Sequence, residues 1–243
     1  MANTGTRLNI LLRGYLLLFE WRQAAAYTAA TGAALLVVFC TLEYAVGPRT
    51  HILNMLGIDQ PAPWQRVLAL TALAVLGARL VGARFSDIGL LRPTQWTSTE
   101  VLYLAQAITI GVAILVVVNF DALRSLPSMM WPTIALAYVT QLIWGFYQEL
   151  IYRGILQTEL VRTFGAVAGI VVANIAFTIG PLHFHELAGP APDLAKEIMF
   201  GSIFAIGLIF GYLMHRTRNI VFVGLLHGIG DAVSNVPHVF QTQ

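Results

Sequence analysis

A single cysteine among 243 residues rules out an intramolecular disulfide, and Cys40, which sits in an apolar run, says little about compartment. Charge is scarce as well. Asp, Glu, Lys and Arg make up only 11% of the chain, and a net charge of +2 is too small to suggest nucleic acid. No internal repeat, coiled-coil heptad or low-complexity segment is present, so a transporter, whose halves should show repeat symmetry, is disfavoured. No cleavable signal peptide is expected, because Arg7, Arg13 and Glu20 break up the first apolar run and no small-residue cleavage site follows it cleanly.

Apolar surface is what the sequence has in excess. Hydrophobic residues are 57% of the chain and the mean hydropathy is +0.72, which describes a protein dissolved in lipid. Gln23–Leu42 and Val101–Phe120 carry no charge and are long enough to span a bilayer. Val67–Ala83 contains Arg79, which either snorkels to a surface or marks a helix end. Leu126–Gln148 is uncharged, and its helical pattern continues to about Val161. Thr163–Phe184, Ile198–Met214 and Asn219–Val236 complete the set, with Gly180-Pro181 expected to kink or break the first of these. The prediction is an all-α polytopic membrane protein of about seven to eight transmembrane helices with a polar intramembrane site. Residues 1–22 are expected to form an interfacial or tucked-in helix and 23–243 one transmembrane domain.

The basic residues suggest an orientation. Arg49, Arg66, Arg124 and Lys196 fall on one side, and the remaining arginines fall on or toward the side of the amino terminus. By the positive-inside rule the amino terminus is cytoplasmic, in a plasma (inner) membrane.

Polar groups inside these runs are expensive, roughly 2.5–3.5 kcal/mol each for a charged side chain at a helix centre, so each is by default a functional hypothesis. Gln148, Glu149 and Arg153 lie in one run, His183 and His185 in another, and His227, Asp231 and Asn235 along one face of the last. Glu149 and Arg153 are one turn apart and can pair, which by itself would be only a structural lock. His227 and Asp231 have the same spacing, beside Gly224, Gly228 and Gly230, which permit close helix approach. Hydrolysis of a peptide bond in a membrane needs a base for water, a group to share its proton, and donors for the oxyanion. Glu, His and an amide or second His supply these. A metal held by Glu149, His183 and His227 is the lesser alternative to a cofactor-free site, since no His-Glu-x-x-His pair is present.

Gln148-Glu149-x-x-x-Arg153, then Ile179-Gly-Pro-Leu-His183, then His227-x-x-x-Asp231, in that order on successive apolar segments, resembles the three-motif signature of the CPBP family of intramembrane endopeptidases. That family includes the type II CAAX prenyl endopeptidases and the CAAX protease self-immunity proteins; its pattern is Glu-Glu-x-x-x-Arg, Phe-x-x-x-His, His-x-x-x-Asn/Asp. The likeness covers about residues 85–235, beginning at Phe85-Ser-Asp-Ile-Gly-Leu-Leu-Arg-Pro93. It implies a glutamic-type peptidase acting near the C-terminus of a membrane-associated peptide or protein. Position 148 and His183 would hold a water, His227 and Asp231 would steady the oxyanion, and Arg153 and Asn235 would support the site.

Two positions depart from the pattern. Ile179 replaces the family's Phe, an exchange that bears on packing. Gln148 replaces its first Glu, and an amide takes up no proton; loss of a general base costs about 10²- to 10⁴-fold in rate. Three explanations are open: Glu149 has taken over, the chain is a disabled form that still binds substrate, or it is a non-catalytic scaffold or immunity protein. Neighbouring helical positions point about 100° apart, which argues against a simple takeover.

Overall fold

The computed structural model describes residues 22, 25–46, 62–183 and 194–241. Apart from Arg22, the helix expected within residues 1–22 lies outside the described residues, as does His185. Among the described residues every regular element is helical. Helix α1, Ala29–Cys40, continues as a π-helical turn, Thr41–Val46. It is followed by α2, Pro63–Leu80, and α3, Ser98–Val118. Helix α4, Trp131–Glu149, runs on through a π-helical segment, Leu150–Gln157, into α5, Thr158–Phe164. Then come α6, Ala166–Ile179, α7, Leu194–Thr217, and α8, Ile220–Asn235.

Local chemistry sets the helix starts. Thr97 and Glu100 form a reciprocal cap on α3, with the Thr97 N–H donating to Glu100 Oε2 at 2.6 Å and the Glu100 N–H to Thr97 Oγ1 at 3.2 Å. Asn219 caps α8 by accepting from the Phe222 N–H at 3.1 Å. Gly165, at φ 84°, separates α5 from α6 in a conformation that L side chains rarely adopt.

Ala29–Val46, Ser98–Val118, Leu194–Thr217 and Ile220–Val239 are each long and apolar enough to cross a membrane. Val117 and Val118 of α3 and Ile198 of α7 stay exposed, forming part of an apolar coat suited to lipid. The protein is an integral membrane protein built as a helical bundle.

Helix α4 is the hub. It packs most extensively on α8, and also on α2, while the π segment touches α1 and α6. Lipid gives little hydrophobic force between helices, so close packing must supply it, and small residues allow that approach. A Cβ at Gly145 would strike the Gly228 backbone, and one at Gly224 would lie 2.7 Å from Phe146 Cα. Gly230 behaves differently from its neighbours: a Cβ there meets nothing, because the residue faces a cavity.

Helix α6 answers a geometrical question left by the sequence. A straight helix from Arg162 to His183 would cross the whole bilayer. The observed helix has only 14 residues, about 21 Å, and ends before Gly180. A short 3-10 turn, Pro181–His183, then brings the histidine back, with its Nδ1 3.0 Å from the Phe177 carbonyl oxygen.

Candidate active site

Four helices and one turn meet around a cavity of about 590 Å³, with Phe177 the contribution of α6. Gln148 and Trp144 come from α4, His183 from the turn after α6, and His227, Asp231, Ser234 and Asn235 from α8, while Met199, Ile203 and Phe210 of α7 supply an apolar wall. Gln148, His183, His227, Asp231 and Asn235 therefore line one space. Glu149 and Arg153 do not line it; both are fully buried behind it.

Glu149 ties this inner layer together. Its Oε1 accepts from His227 Nδ1 at 2.7 Å, and its Oε2 lies 3.3 Å from Arg153 Nε. Removing one partner of a buried ion pair costs about 3–5 kcal/mol, so the pair fixes the rotamer of Glu149 and through it that of His227. Arg153 is held further by Asn174 Oδ1 at 3.2 Å and the Gly207 carbonyl at 3.4 Å. Its guanidinium lies 4.1 Å from the centroid of the Phe177 ring.

The tautomers follow from the partners. A carboxylate or a carbonyl only accepts, so His227 Nδ1 and His183 Nδ1 both carry hydrogen toward Glu149 and Phe177 O. In neutral His183 this leaves Nε2 as the nitrogen with a lone pair. His227 Nε2 lies 3.5 Å from Asp231 Oδ1, loose enough for it to turn to a ligand in the cavity.

Sequence reasoning missed Phe177, Asn174, Gly207 and Phe210. Phe177 packs edge-on against His183 at 5.3 Å and His227 at 5.8 Å between ring centroids. It is the aromatic ring beside the turn histidine, whereas Ile179, at the head of the second motif, is 53% exposed on the helix surface. Asn174 could have been found as an isolated amide in an uncharged span. Gly207 carried no signal; a Cβ there would meet Asn174 Oδ1 and come within 2.9 Å of Arg153 Nη2. Among the described residues no group of three or more His, Cys, Asp or Glu is placed to hold a metal ion.

A helical membrane protein with a buried Glu–Arg pair behind a cavity of two histidines and an aspartate defines the class. Residues 129–233 match the family model described as type II CAAX prenyl endopeptidase Rce1-like. This stretch is thus similar to that membrane protease family, consistent with the CPBP signature. No curated protein and no solved structure matches the chain.

Proposed function

We propose that the chain is an intramembrane endopeptidase whose cavity receives the C-terminal part of a membrane-associated peptide or protein, and that Gln148 leaves it a slow catalyst. The observation that carries this reading is the convergence of Gln148, His183, His227 and Asp231 on one cavity, with Glu149 held behind His227. The Gln148 amide and His183 Nε2 hold a water beside the scissile carbonyl. As the water oxygen attacks the carbonyl carbon, its proton passes to His183 Nε2, which returns it to the departing amine. His227 acts as an imidazolium, its Nδ1–H held by Glu149 and its Nε2–H beside Asp231, and donates from Nε2 to the oxyanion.

Water activation is the weak step, because Gln148 orients without accepting a proton. The same fact favours a second reading, a form that binds substrate without cutting it. The arginine-rich end of the bundle is assigned to the cytoplasm on the positive-inside rule. The test is cleavage of a membrane-peptide library by the purified chain in lipid, compared with Gln148→Glu. Cleavage rising about 10²- to 10⁴-fold in the Glu form supports the assignment. Equal cleavage by both forms removes position 148 from water activation, and capture without cleavage by both identifies a binding protein.

A further inference from the structure

A second cavity, of about 290 Å³, lies at the opposite end of the bundle from the peptidase cavity. Its walls include Arg22, Thr158, Arg162, His215 and Arg218. Helix α8 gives the separation: Arg218 precedes its first turn, and the residues of the helix that line the peptidase cavity run from His227 to Asn235. His227 is nine residues beyond Arg218, about 14 Å along a helix, and the two linings share no residue.

Among the described residues the charges around this second cavity do not balance. Arg22 spends its guanidinium on Glu100, at 2.8 Å to each carboxylate oxygen. Arg162 is paired with Glu159, at 2.8 and 2.5 Å. The Asp87 carboxylate is turned to Arg84, accepting from its backbone N–H at 2.8 Å and lying 3.5 Å from its Nε. Arg218 is left. It is only 6% exposed and makes no ion pair among the described residues. Among the described residues its side chain hydrogen-bonds to neutral oxygens, Thr158 Oγ1 at 3.4 Å and the Asp87 carbonyl at 3.2 Å.

A buried guanidinium without a counter-ion is costly, and this one is held by an unfavourable backbone as well. Arg218 has φ 50°, a left-handed conformation uncommon for a residue with a side chain. The surrounding structure enforces it: the Ile220 N–H donates to the Gly89 carbonyl at 2.9 Å, and a Cβ at Gly89 would lie 3.2 Å from the Arg218 carbonyl oxygen. The strap beginning at Phe85 and the start of α8 therefore fix the guanidinium on the cavity wall, with Arg162 and His215 beside it.

We propose that this cavity binds a phosphate group, whose negative oxygens supply the charge that Arg218 lacks. A guanidinium meets two oxygens of such a group at once, and arginine is suited to that geometry. Basic pockets between transmembrane helices are where anionic headgroups dock, and a free phosphate has the same chemistry. The inference stands on charge and burial at this end of the bundle and is independent of the peptidase reading.

The test uses the full chain purified into phosphatidylcholine nanodiscs. Its thermal unfolding midpoint is followed against inorganic phosphate, against chloride at matched ionic strength, and in discs containing phosphatidylglycerol. The variants are Arg218→Gln and Arg162→Gln. The second removes a partly exposed side chain, so it keeps the test valid if the first fails to fold. The expected result is a saturable rise in midpoint with phosphate or phosphatidylglycerol that chloride does not reproduce. The half-saturating amount should increase roughly tenfold in each folded variant, the loss of one charge-assisted hydrogen bond. A response to inorganic phosphate assigns a soluble ligand; a response to phosphatidylglycerol alone assigns a lipid headgroup. No response to either probe, or the same response in the wild type and Arg162→Gln, overturns the proposal.

Discussion

Glu149 Oε1 and His227 Nδ1 are 2.7 Å apart across 78 positions of chain, and this one contact joins the first motif to the third. Glu149→Gln keeps the shape but strips the charge that faces both His227 and Arg153. The expected loss of stability is about 3–5 kcal/mol, because Arg153 stays buried without its partner. Thermal unfolding in lipid measures it, and an unchanged midpoint would show that the pair is not maintained.

His183 and His227 separate enzyme from scaffold. In a Gln148→Glu background, His183→Ala should lower the cleavage rate about 10²- to 10⁴-fold while substrate capture persists. His227→Ala should lower it about 10²- to 10³-fold through loss of an oxyanion donor. If both single mutants retain the protein's biological role, that role does not depend on hydrolysis.

Phe177 touches Arg153, His183 and His227 with one ring. Phe177→Ala should cost about 3–5 kcal/mol and loosen both histidines. Phe177→Leu retains volume without the aromatic face, so the Leu form should regain much of the stability and little of the activity. Equal activity in the Leu form and the wild type would reduce the ring to a filler.

Gly228 sets the distance between α4 and α8: a Cβ there would lie 2.5 Å from Leu142 Cα. Backbone cannot yield as a side chain can, so Gly228→Val should prevent the helices from closing and abolish a folded, monodisperse preparation. Gly230→Ala, where a Cβ meets nothing, is the matched control and should fold normally. Similar yields from both would show that the α4–α8 contact is not needed for assembly.

Tyr152 donates to buried Glu43 at 2.6 Å, linking the π turn after α1 to the segment that carries the first motif. Tyr152→Phe removes a hydrogen bond to a charged group in the bundle interior. A destabilisation of about 1–3 kcal/mol is expected by thermal unfolding. No change would mean that Glu43 is satisfied by its other contacts.

The apolar runs were legible because a bilayer imposes length and composition on each helix separately. Val101–Phe120 and the observed Ser98–Val118 differ by a few residues at each end, and Ile198–Met214 is the centre of Leu194–Thr217. The order Gln148, Glu149, Arg153, His183, His227 and Asp231 was legible too, since a polar side chain in a hydrophobic run stands out wherever it occurs. The π-helical segment Leu150–Gln157 was not, because its hydrogen-bond pattern differs from that of an α-helix while its residues are of kinds an α-helix also carries.

By itself the sequence determined a polytopic membrane bundle with costly polar groups at stated positions, and a family signature, because hydropathy and motif order are properties of short stretches. Only the tertiary structure decided that Gln148 faces the cavity while Glu149 stands behind it, that Phe177 and not Ile179 supplies the ring beside His183, and that Arg218 has no acidic partner among the described residues. These depend on which faces of distant helices meet, and that is set by packing at Gly145, Gly207, Gly224 and Gly228, where the absence of a side chain leaves no mark in a hydropathy pattern.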